Sequence, residues 1–108
     1  MSKEAQAALI WCPCPDHGTA RRLAEQLLEE KLIACANIVP AITSVFEWEG
    51  KTQCESETGL LLKTTAASLG KATAHLGEHH PYDTPAIMGW LVDETPPPTL
   101  EWLLGTVR

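Results

Sequence analysis

The stretch "IACANIVPAITSVFEWEGKTQCESETGLLLKTT", from Ile33 to Thr65, decides the fold. As far as Trp48 it is rich in Ile, Val and Ala, with Thr43, Val45 and Phe46 following, and it reads as one long strand. Pro40 interrupts it, and because proline cannot donate to a ladder that position is an edge or a bulge. Glu49-Gly50 makes a tight turn, the glycine supplying the positive φ that hairpins need. The return strand runs from Lys51 to Thr65. Its first half is polar (Gln53, Glu55, Ser56, Glu57) and its second half contains Leu60-Leu61-Leu62.

A hairpin of this length overhangs a domain of 108 residues. Its base is apolar enough for a core, but its tip carries Phe46 and Trp48 beside charged residues. Aromatics beyond the core need a partner surface, or they form an exposed patch. Either the hairpin curls back over its own domain or its tip docks on a neighbouring subunit, and docking is the expectation carried forward.

On the N-terminal side, Met1-Ser2-Lys3-Glu4 leads straight into the nearly continuous apolar run Ala5 to Pro13. A short apolar run closed by prolines reads as a strand buried on both faces. Pro13-Cys14-Pro15 is expected to break it, with Asp16 as the N-cap of a helix. Ala20, Leu23, Ala24, Leu27 and Leu28 then follow the spacing of an amphipathic stripe, with Arg21, Arg22, Glu25, Glu29 and Glu30 opposite. On the C-terminal side, Ala66, Leu69, Ala72 and Leu76 predict a second helix to His79, weakened by Gly70 and Gly77. Pro81 and Pro85 bracket a loop, His80 to Pro85. Ala86 to Val92 predicts a fourth strand, and Pro96-Pro97-Pro98 a stiff linker. Thr99 is then expected to cap a short last helix carrying Leu100, Leu103 and Leu104. The order β-α-β-β-α-β with an added C-terminal helix is the split βαβ pattern of an α+β, ferredoxin-like sandwich, expected to form one domain over residues 1–108.

The totals exclude several functions. With 44% hydrophobic and 20% charged residues the chain has the composition of a folded domain. Net charge is −6, from 14 acidic against 8 basic residues, and no basic cluster exceeds Arg21-Arg22. A surface that tracks nucleic-acid phosphates is therefore not expected. No apolar run reaches about 18 residues, so no membrane span is expected. The N-terminus lacks the layout of a secretory signal, which points to the cytoplasm. There Cys12, Cys14, Cys35 and Cys54 are expected to be reduced, with one or two free to bind metal.

Four segments together resemble the CutA family of divalent-cation tolerance proteins. They are "LLEEKLIACANIVP" (Leu27 to Pro40), "SVFEWEGK" (Ser44 to Lys51), "LLLKTT" (Leu60 to Thr65) and "HHPYDTP" (His79 to Pro85). They occur in the family's order and spacing, and the likeness extends from Leu9 to Leu104. The resemblance implies a homotrimer with a ferredoxin-like protomer, similar in architecture to PII signalling proteins. In it the hairpins of neighbours pair edge to edge and cover otherwise sticky strand edges. It also implies divalent-metal tolerance, copper foremost. Two positions depart from the family pattern. Phe46 stands where Tyr is usual, and Ala86 stands where Glu is usual, which removes a carboxylate from beside the loop.

The resemblance makes His80, before Pro81-Tyr82, the leading candidate metal ligand, and neutral imidazole suits copper and zinc. His79 is the lesser of the pair, since it ends the helix. Cys12 matches a cysteine implicated in copper binding, and thiolate favours soft ions. Cys12 and Cys14 are two apart, so a strand would present both on one face, where they either chelate one ion or are simply buried. Cys35 is expected in the core, and Cys54 has no motif support. Glu57 is the candidate third ligand, as an acidic partner of His80 or, alternatively, part of a solvated strand face. Lys63, Trp48, Phe46 and Tyr82 are assigned to the cleft or to trimer packing.

Catalysis is not expected. Pro13 to Gly18 lacks the glycine spacing of a phosphate cradle. A nucleophile pair such as Cys12 with His80 would also need an orienting residue and an oxyanion site, to which nothing points. The expected function is metal binding. The alternatives are a PII-like signalling module binding a small anionic metabolite in the intersubunit cleft, for which Lys63 is the only basic residue well placed, and a purely structural trimer.

Overall fold

The hairpin is the longest feature of the molecule, which measures 45 × 26 × 22 Å in a computed structural model describing residues 5–108. The expectation for Met1 to Glu4 lies outside the described residues. The elements run β1 (Ala7–Cys14), α1 (His17–Glu29), β2 (Cys35–Trp48), β3 (Lys51–Thr65), α2 (Ala66–His79), β4 (Met88–Leu91) and α3 (Pro97–Thr106). The sheet order is β2-β3-β1-β4 with every neighbour antiparallel, and the fold is ferredoxin-like.

Strand alternation builds the core. Ile10, Cys12 and Cys14 of β1 and Leu60 and Leu62 of β3 face the helices, where they meet Ala20, Leu23, Ala24 and Leu27 of α1 and Ala72 and Leu76 of α2. Each fully buried Leu or Ile contributes roughly 1.5–3 kcal/mol over leaving it in water. β1 is nevertheless not buried on both faces as its apolar run suggested, because Leu9, Trp11 and Pro13 on the other face are only half-buried. The two helices cover one side of the sheet only.

The hairpin turn is Glu49-Gly50, with φ of 51° and 76°. Two successive positive φ values match the right-handed twist of the flanking strands. The interruption at Pro40 is a bulge: Val39 pairs with Gly59 and Ile42 with Glu57, so Pro40 and Ala41 together oppose Thr58. Ala41 takes φ 55° there.

Local expectations shift in three places, and one holds. β1 does not break at Pro13 but continues through Cys14, opposite Thr58. Asp16 does cap α1, accepting from the Thr19 N–H at 2.7 Å. Thr99 does not cap the last helix; α3 starts at Pro97, with Pro96 at the cap position, because proline's fixed φ suits a first helical turn that needs no N–H. β4 is confined to Met88–Leu91. The C-terminus is tied down where α1 ends and α2 begins: the Arg108 N–H donates to the Lys31 carbonyl at 2.7 Å, and the Ser68 hydroxyl to the Arg108 carbonyl at 2.6 Å.

Candidate metal centre

The end of β1 meets the end of α2. Residues two apart on a strand share a face, so Cys12 and Cys14 both turn towards the helices, and both thiols are free and buried. Pro13 between them turns the other way. β4 pairs with β1 only as far as Trp11, so the β1 edge beyond it is open. α2 stops at His79, and the next residue, His80, reaches that edge. Its Nε2 lies 2.9 Å from the Pro13 carbonyl oxygen, and the residue is 7% exposed. The two sulfurs and an imidazole nitrogen of His80 all lie within 4.8 Å of one another.

The imidazole is oriented from both sides. The Tyr82 N–H donates to Nδ1 at 3.1 Å, so Nδ1 carries no proton. Nε2 must then bear the proton, and it donates to the Pro13 carbonyl. The Tyr82 ring packs on the imidazole with centroids 4.7 Å apart. Its hydroxyl donates to Glu57 Oε2 at 2.8 Å, pinning the loop to β3.

The thiols are not equivalent. The Cys14 S–H points to the Cys12 carbonyl at 3.5 Å, and the Cys12 sulfur lies 4.0 Å from the Pro13 carbonyl. A hydrogen bond from Cys12 lowers the pKa of the Cys14 thiol, against opposing burial. The same bond, with burial and nearby negative charge, pushes the Cys12 thiol far up.

The structure brings Cys12 and His80 together with Cys14. Glu57 is outside this cluster; its carboxylate is engaged by Tyr82 and it touches the site through that residue. Phe46 and Trp48 sit near the hairpin tip, 38% and 58% exposed. Lys63 pairs with Leu9 and lines a shallow groove of about 190 Å³ with Val92, Glu94 and Leu103, apart from the thiols. His79 stacks on His75 of the same helix, with ring centroids 4.3 Å apart. Cys35 is not a core residue; it is half-buried at the start of β2, its sulfur 3.9 Å from Asn37 Oδ1. Cys54 and Ala86 are exposed. What the sequence reading missed is the Pro13 carbonyl as the anchor of His80, for which no residue type signals.

A thiolate pair with a nearby imidazole suits soft or borderline ions such as copper and zinc over magnesium or calcium. A metal–sulfur bond of roughly 2.3 Å lets two donors about 4.6 Å apart share one ion, so the donor spacing fits a single metal.

Residues 8–106 match the family described as CutA1 divalent ion tolerance protein. The chain is 37% identical over 107 residues to the divalent-cation tolerance protein CutA of Escherichia coli, covering 99% of this chain and 96% of that one. It is 37% identical to the chloroplastic protein CutA of Arabidopsis thaliana over 99% of its length, spanning 59% of that longer relative. The crystal structure of CutA1 from Oryza sativa superposes with a TM-score of 0.92 at 36% identity, covering 99% of this chain and 98% of that chain.

Proposed function

Because this chain belongs to the CutA1 divalent ion tolerance family, we propose that it binds a metal ion, copper foremost, at the cluster of Cys12, Cys14 and His80, and acts in metal tolerance as a homotrimer. The observation that carries the binding reading is the cluster itself: three buried donor groups within 4.8 Å of one another, two of them soft. The role is binding and not catalysis. Both nitrogens of His80 are engaged by backbone groups, so no base is aimed at either thiol.

Assembly is supported by the surface. β2 is an edge strand of 14 residues with no partner on its outer side among the described residues, and Val45 and Trp48 near its end are 66% and 58% exposed. Met88 and Trp90 of β4 and Trp102 of α3 are exposed as well. Edges and patches of this kind are normally covered, and another copy of the chain, whose β2 edge is equally open, meets that need. A reducing cytoplasm suits the free thiols, although the name of the Arabidopsis relative places that protein in the chloroplast. Among the described residues no helix is long and apolar enough to cross a membrane. A phosphate-bearing metabolite is the weaker reading, because Lys63 stands away from the thiol cluster.

The test is calorimetric titration of the reduced protein with copper and zinc, with mass measured by light scattering. A trimer taking up one ion per chain with Kd near or below a micromolar, roughly −8 kcal/mol, is the expected result. Weak, non-stoichiometric uptake overturns the metal reading, and a monomeric mass overturns the assembly.

A further inference from the structure

His75-Leu76-Gly77-Glu78-His79, in the last turns of α2, sets two histidines four apart with a glutamate just before the second. Residues four apart on a helix share a face, and the His-x-x-Glu-His spacing is one that metal ions use on helices. The two rings lie 4.3 Å apart, centroid to centroid, at a tilt of 38°. Neither belongs to the thiol cluster, whose imidazole is that of His80. His80 is held at both nitrogens. His75, by contrast, keeps Nδ1 buried with no hydrogen-bond partner among the described residues. Gln26 Oε1 on α1, the helix beside α2, is buried without one as well. Buried polar atoms are almost always paired, so an unpartnered ring nitrogen beside a second imidazole marks a site short of one component. The charges of Glu78 and of Glu30, at the end of α1, reach His75. They make its surroundings anionic, which favours a cation as the missing component.

We propose that His75 and His79 form a second metal site, a two-imidazole clamp on the face of α2 for a borderline divalent cation, zinc or nickel(II), whose remaining ligands are water. The clamp is independent of the thiol cluster. Imidazole suits such ions, whereas calcium and magnesium require oxygen ligands. Zinc–nitrogen bonds run at about 2.0–2.1 Å, so two nitrogens on one tetrahedral ion stand about 3.3 Å apart. Centroids 4.3 Å apart bring ring nitrogens close to that separation, and the exposed His79 is free to turn and close the rest. An ion on His75 Nδ1 supplies the partner that nitrogen lacks. On binding, two nitrogen–metal bonds replace two water–metal bonds, both rings enter as neutral imidazoles, and no electron is transferred. Glu78 and Glu30 act through charge alone. Among the described residues no carboxylate stands close enough to both rings to make a three-donor group, which leaves the other positions to water. The chain then carries two donor sets of different softness, sulfur inside the core and nitrogen on the helix face.

The test is a zinc titration of the full, reduced chain, followed by proton–nitrogen correlation spectra of the imidazole side chains, which report each histidine separately. Expected is a common, saturable shift of His75 and His79 at one zinc per chain. In His75→Gln the His79 response should need about 100-fold more zinc or beyond, because the second donor no longer adds its effective concentration. His79→Gln should weaken the His75 response in the same way. A zinc response at His80 with none at His75 and His79 overturns the clamp and leaves the thiol cluster standing. A His79 response undiminished in His75→Gln also overturns it, since one imidazole would then suffice. Paired shifts of His75 and His79 in a protein that fails the copper titration above support the clamp and count against the thiol cluster alone. The spectra of the natural protein decide the point even where a variant fails to fold.

Discussion

The Tyr82 hydroxyl donates to Glu57 at 2.8 Å, joining the loop after α2 to the polar half of β3 and closing the ring of contacts that orients His80. Burial first, then the Glu57 hydrogen bond and charge, raise the Tyr82 phenol above its usual range. A folded-state value above the unfolded one means the contribution is fully present below about pH 10 and is lost as pH rises beyond it. Tyr82→Phe should cost no more than about 1 kcal/mol, because the pair is partly exposed. It should also speed hydrogen exchange of the amides of Tyr82, Asp83 and Thr84. Unchanged exchange there would show that the loop is held by its prolines alone.

His75 should make stability fall on mild acidification. Its Nδ1 is buried without a hydrogen-bond partner among the described residues, and its ring packs at a tilt against His79. Burial first, then the His79 charge, lower its pKa, while Glu30 and Glu78 partly oppose them. With the folded value depressed, the stabilisation is present above the unfolded value of about 6.5 and is lost as pH falls from there through the folded value. Urea midpoints at pH 7.5 and 5.5 should therefore differ, and His75→Gln should narrow the gap. An undiminished gap would assign the dependence to other groups.

Ala41 sits at φ 55° within the β2 bulge, a conformation that costs an L-residue with a side chain roughly 1–2 kcal/mol. Glycine removes that strain but loses about 0.5–1 kcal/mol in chain entropy. Ala41→Gly should thus raise stability by about 0.5–1 kcal/mol, visible as a higher denaturant midpoint at unchanged slope. A lower midpoint would mean that the methyl group packs in the assembled protein.

Trp48, 58% exposed near the hairpin tip, should be an assembly residue. Trp48→Asp places a charge where an apolar contact is expected, so sedimentation at low concentration should show species smaller than the natural protein's. The same sedimentation coefficient for both would remove the tip from the interface.

Much of this was legible in the chain because it is local. Asp16 caps α1 because its carboxylate reaches the Thr19 N–H three residues on, and the stripe from Ala20 to Leu27 needs only helical period. Glu49-Gly50 turns the hairpin because of its own φ angles. Misreadings came where non-local partners overrule local habit. Pro13 looks like a strand breaker, but the edge it cannot serve is open beyond the end of β4, so β1 runs on to Cys14. Cys35 looks like a core residue, but it stands at the start of an edge strand.

The sequence by itself determined the element order, the hairpin, the α+β class and the pairing of Cys12 with Cys14 on one strand face. Period, caps and turn chemistry act within a few residues. Only the tertiary structure decided that His80 meets Pro13 from 67 positions away, that Tyr82 occupies Nδ1, and that Glu57 serves Tyr82 and stays outside the thiol cluster. Those relations depend on where α2 ends over the open edge of β1. That position is set by packing of the whole core and is written in no short stretch of residues.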